Sequence, residues 1–67
     1  MRYTTDIDNK NQHLPAEIIR LLNSKCKNVV CIGVREYRYF WEGPEMAEEI
    51  NNELKSNGIK FNYKEIQ

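Results

Sequence analysis

The sequence predicts an α/β fold: a small two-layer βαβαβ domain occupying residues 1–67 as a single unit. Three observations carry this reading. The run from Asn28 to Trp41 opens apolar on consecutive positions, and the stretches before and after it repeat apolar residues at three- and four-residue spacing, as amphipathic helices do. In addition, both ends of the chain alternate in polarity like strands. Assembled in order, the elements form a three-stranded parallel sheet with the 28–36 strand central. Both helices fall on one face, because right-handed crossovers stepping in one direction across a sheet put their helices on the same side.

Residues 2–7 place Tyr3, Thr5 and Ile7 on one side and Arg2, Thr4 and Asp6 on the other, which predicts a short edge strand. Asp8 to His13 contains no apolar residue and reads as a solvated loop. A helix is expected from Pro15, since proline loses nothing at the first helical position, and Glu17 suits the positive end of the helix dipole. Leu14, Ile18, Leu21, Leu22 and Cys26 form its apolar stripe, and Asn28 closes it. Val29 to Val34 is apolar at both parities, the mark of a strand covered on two faces. From Arg35 to Glu42, Tyr37, Tyr39 and Trp41 share one parity, and the pattern is compatible with either strand or loop. Gly43-Pro44 begins the second helix, Met46, Ala47, Ile50 and Leu54 form its buried stripe, and Gly58 ends it by taking the left-handed conformation. Ile59 to Ile66 alternates as an edge strand whose outer face is guarded by Lys60 and Lys64.

A two-layer arrangement with both helices on one side leaves the other sheet face bare. Apolar side chains of the central strand would then meet water, and patches of that kind mark association surfaces. A homodimer or a docking surface for another protein is therefore expected. The anchors expected for the partner are Arg35, Tyr37, Arg38, Tyr39 and Trp41, because Arg, Tyr and Trp dominate the energetics of protein interfaces. The alternative is a nucleotide or single-stranded nucleic acid held by Arg35, Arg38, Tyr39 and Trp41, with bases stacked on the rings and phosphates met by the guanidinium groups. His13 would lie on the same rim. Glu45, Glu48, Glu49 and Glu53 form an outward acidic stripe on the second helix, able to imitate a phosphate backbone or simply to face solvent.

Composition narrows the functional classes. Ten basic and ten acidic residues balance, so no overall field draws the chain to nucleic acid or an anionic membrane. No apolar run approaches the ~20 residues of a membrane span, and the first residues lack the core of a secretion signal, so a cytoplasmic protein is expected. Cys26 and Cys31 are the only cysteines and have no histidine near them in sequence; both are expected to be reduced packing residues, with no metal bound. No catalytic motif surrounds His13, and a core this small leaves little room for a catalytic cavity, so neither an enzyme nor a cofactor is expected. The expected function is a non-catalytic protein-interaction module, an inhibitor or adaptor. The abundance of Asn, Lys and Ile fits a low-GC bacterium or its phage, where small accessory and anti-defence proteins are common.

Ile32-Gly33-Val34-Arg35, followed by a loop, a helix and Asn57-Gly58-Ile59, resembles the strand, Gly-x-Arg, helix unit of Rossmann-like nucleotide-binding domains such as those of the DNA-processing protein family. The resemblance covers under half the chain, and Val34 stands where that family has serine. It implies a parallel strand running straight into a nucleotide-binding loop and helix.

Overall fold

In the computed structural model, which describes residues 2–10 and 12–66, six elements follow one another: β1 (Arg2–Asp8), α1 (Ala16–Lys25), β2 (Asn28–Gly33), β3 (Glu36–Trp41), α2 (Pro44–Ser56) and β4 (Phe61–Ile66). Every strand pairing is antiparallel, and the sheet order is β2-β3-β1-β4. Two β-α-β units are thus interleaved, each with a strand of the other between its own two strands; this is the split βαβ, or ferredoxin-like, topology.

The three-stranded parallel sheet expected from the sequence is therefore corrected to a four-stranded antiparallel one, and the small domain is α+β. The difference originates at one turn. Val34 and Arg35 reverse the chain, with Arg35 in the left-handed region at φ 59°, so Gly33 pairs with Glu36 and the run from Asn28 to Trp41 folds back as a hairpin. A hairpin of this kind usually advertises itself by Asn-Gly or Asp-Gly; here valine and arginine make it. The segment expected to be central becomes the edge strand β2, and β1, expected at the edge, is enclosed between β3 and β4. The Gly-x-Arg resemblance fails at the same place, because Gly33 leads into a strand and not a helix.

The helix ends are made by local chemistry. Pro15 precedes α1, and the Cys26 N–H donates to the Leu22 carbonyl at its close. Pro44 opens α2. At its end Gly58 sits at φ 70°, with its N–H donating to the Lys55 carbonyl (3.0 Å) and the Ile59 N–H to Leu54 (2.9 Å). That paired pattern satisfies carbonyls a helix end otherwise leaves open, and it turns Ile59 back into the core. Gln12 ties the loop after β1 to the start of β4: its amide donates to the Asp8 and Lys60 carbonyls (2.9 and 2.8 Å) and accepts from the Lys60 N–H (2.9 Å). Asn11, within the predicted Asp8–His13 loop, lies outside the described residues.

The core lies between one sheet face and the helices. Ile18 and Leu22 from α1 and Ala47, Ile50 and Leu54 from α2 meet Tyr3, Ile7, Tyr39 and Trp41 from the two inner strands. Each fully buried aliphatic side chain stabilises the fold by about 1.5–3 kcal/mol relative to exposure. A polar chain threads this layer: the Trp41 indole N–H donates to Thr5 Oγ1 (2.8 Å), and the Thr5 hydroxyl donates to Asn51 Oδ1 (3.0 Å). It joins β3, β1 and α2 at one buried point.

Candidate interaction edge

The sheet order leaves β2 and β4 with one free side each. An unpaired strand edge presents N–H and C=O groups that can template another strand, and proteins normally blunt it with charge. β4 follows that rule, carrying Lys64 and Glu65 and starting just after Lys60. β2 does not: no charged residue occurs from Asn28 to Val34, between Lys27 and Arg35. Val29, Val30 and Ile32 are each about 40% exposed and Val34 75%. The strand is apolar on both faces, as the sequence indicated, yet among the described residues it has no neighbour on its outer side.

Hydrogen bonding shows which groups point off this edge. The Lys27 N–H donates to the Phe40 carbonyl (2.8 Å), closing the start of the hairpin against β3. The Val29 N–H donates to its own neighbour's side chain, Asn28 Oδ1, at 2.9 Å, so it faces away from β3. By the two-residue period of a strand, Cys31 directs its backbone groups outward as well. The Cys31 thiol donates to the Gly33 carbonyl at 3.0 Å. Ile32 is left out of the register by a bulge between Cys31 and Gly33, which limits regular pairing to Asn28–Cys31.

The sheet face away from the helices is uncovered by any element among the described residues. It carries Val30 and Phe40 beside the charged pair Arg38–Asp6, whose guanidinium donates to both carboxylate oxygens at 2.8 and 3.0 Å. This paired geometry holds the Arg38 pKa above its usual value through the hydrogen bond and charge of Asp6. At the β2 end of the face a shallow depression of about 650 Å³ is bordered by Arg2, Lys27, Val30 and Phe40, with Glu42 at its rim.

The residues expected to bind a partner are divided between opposite sides of β3. Tyr39 (5% exposed) and Trp41 (2%) lie in the core, stacked on one another with centroids 6.2 Å apart, and Tyr37 packs half-buried against the same cluster. Burial pushes the Tyr39 phenol above its ordinary pKa. Arg38 points to the opposite face and Arg35 sits exposed in the turn. Arg35, Arg38, Tyr39 and Trp41 therefore do not line one surface. The strand's alternation already separated Arg38 from the three aromatics; what the sequence left open was which side the helices would cover.

Glu45, Glu48, Glu49 and Glu53 are exposed on α2, where Glu49 lies 3.6 Å from the Lys25 ammonium. His13 is exposed in the loop before α1. Both cysteines are free: Cys26 is half-buried, with its thiol pKa raised by burial, whereas Cys31, expected inside a covered strand, is exposed on the edge. Among the described residues no group of His, Cys, Asp or Glu could hold a metal ion, and no helix is long and apolar enough to cross a membrane. The candidate edge not marked in the sequence reading is the outer side of β2; its signal is the charge-free run bracketed by two cations. The chain matches no family model, no curated protein and no solved structure.

Proposed function

We propose that this chain is a small non-catalytic protein-interaction module of the inhibitor or adaptor type, and that it engages protein by adding an extended strand to the outer edge of β2. The observation that supports this is the contrast between its two sheet edges: β4 is guarded by lysine and glutamate, while β2 exposes Val29, Val30 and Ile32, with exposed Val34 in the turn just beyond, and no charge among them. In strand addition the main-chain hydrogen bonds supply affinity, and alternate side chains supply selectivity. On β2 those side chains are Val29 and Cys31 on the helix side, and Val30 with neighbouring Phe40 on the bare face.

The test is affinity capture from the native host with the intact chain and with Val30→Lys, which puts a charge in the middle of the edge without entering the core. Proteins retained by the wild type and by Glu49→Lys on α2, but lost with Val30→Lys, are the expected result. Equal retention by the β2 variant sinks the proposal.

A further inference from the structure

Resting on that reading of β2, we infer that the strand it accepts is the β2 of a second copy, paired antiparallel about a two-fold axis through Val30, so that two four-stranded sheets join into one of eight strands. Charge is the first reason. The chain carries ten basic and ten acidic residues, so two copies do not repel as whole molecules. Locally, an antiparallel self-pair sets β2 against its own sequence, and that sequence has no charge between Lys27 and Arg35. Neither flanking cation meets its own copy in this register, because Lys27 falls opposite Gly33.

Backbone geometry selects the register. Opposed residues in an antiparallel pair lie on the same sheet face, and the residues with outward N–H and C=O groups are the ones that exchange hydrogen bonds. Val29 and Cys31 are those residues on β2, and the bulge at Ile32 ends the regular span beyond them. Centring the axis on Val30 sets Val29 against Cys31 of the other copy twice over and uses the whole regular edge. The Asn28 side chain, which now accepts from the outward Val29 N–H, gives way to a backbone partner. Such a two-fold axis stands perpendicular to the sheet, so all four helices share one side of the dimer. The two Val30 side chains meet on the bare face, flanked by the two Phe40 rings.

Size sets the strength. A standard interface removes about 800 Å² from each partner, roughly a sixth of the 4696 Å² that this chain exposes. One edge strand with its adjoining side chains falls at or below that class, the range of weak and transient contacts, so a concentration-dependent equilibrium is expected and not a permanent dimer.

The experiment is sedimentation or light scattering of the full chain over about 10 µM to 1 mM. A monomer–dimer equilibrium in this range is expected, weakened at least tenfold by Val30→Lys and unchanged by Glu49→Lys. Val29→Pro is the second edge variant: it removes an outward N–H and no bond to β3, and it too should leave a folded monomer. With Cys26 and Cys31 both changed to serine, Val30→Cys should oxidise to a covalent dimer across the axis. A wild type that stays monomeric throughout, or a dimer indifferent to both edge variants, overturns the inference. If a monomeric wild type still captures a host protein that Val30→Lys loses, self-pairing is wrong and strand addition to another protein stands.

Discussion

Replacing Thr5 with valine removes one hydroxyl from the centre of the molecule while keeping the shape of the side chain. In the folded chain that hydroxyl accepts from the Trp41 indole and donates to Asn51 Oδ1, all within the buried layer. Valine strands both partners. A buried polar group deprived of its partner costs about 1–3 kcal/mol, so with two such groups Thr5→Val should destabilise by about 2–6 kcal/mol. Total stability for a chain of this length is roughly 3–10 kcal/mol at ~0.05–0.15 kcal/mol per residue. The loss is therefore large, and with about 4–8 °C in Tm per kcal/mol for a small domain it should be plain in a thermal melt.

The neighbouring threonine provides the control. Thr4 faces the other side of β1 and is equally buried, but its Oγ1 makes no hydrogen bond. Thr4→Val relieves an unsatisfied group and should be neutral or stabilising. Denaturant titration, read by circular dichroism and by the emission of Trp41, the single tryptophan, measures both. Asn51→Leu combined with Thr5→Val should cost less than the sum of the two alone, since the second change finds its hydrogen bond already gone. A Thr5→Val loss below about 0.5 kcal/mol, or equal losses for Thr4 and Thr5, would show that the buried chain does not hold β1, β3 and α2 together.

Trp41→Ala should cost about 3–5 kcal/mol through the cavity it leaves, so any loss of binding in that variant must be read beside its melting curve. Arg35→Gly, by contrast, should raise stability by about 0.5–1 kcal/mol, because glycine takes the φ 59° conformation without the strain a side chain incurs; an unchanged or lower denaturation midpoint would argue against that strain. Burial raises the pKa of both the Cys26 thiol and the Tyr39 phenol. The contribution of each to stability is therefore complete below its ordinary value and lost as pH rises through the raised one. Stability should hold up to about pH 9 and then fall through about pH 10 and above, with Tyr39→Phe flattening the upper part of a pH series of melts.

Much of the chain's local organisation is legible in the sequence. The stripe Met46, Ala47, Ile50, Leu54 and the stop at Gly58 depend on neighbours within a turn or two, and they are found where the pattern put them. The role of Asn51 is not legible in the sequence, because one polar residue beside a buried stripe has the pattern of a solvated one; only the fold brings Thr5 opposite it. The place of β1 is hidden for a related reason: Arg2, Thr4 and Asp6 on one side of the strand are the pattern of an edge strand with a solvated face, yet Thr4 is as fully enclosed as Thr5 in an inner strand.

β2 shows the limit most directly. Apolar residues at both parities state that a strand avoids water on two faces, but not whether its own molecule or another one provides the shelter. By itself the sequence determined the two helices, the end of the second, a charge-free extended segment and a balanced overall charge, since the local features follow from residues close together in the chain. The first helix stops at Lys25, and Asn28, expected to close it, instead opens β2. Only the tertiary structure decided that the segment lies at the sheet's border, and that Tyr39 and Trp41 face inward while Arg38 faces out. Those outcomes depend on a reverse turn at Val34–Arg35, which carries none of the usual turn residues, and on pairings between strands more than thirty residues apart, such as Tyr3 with Trp41.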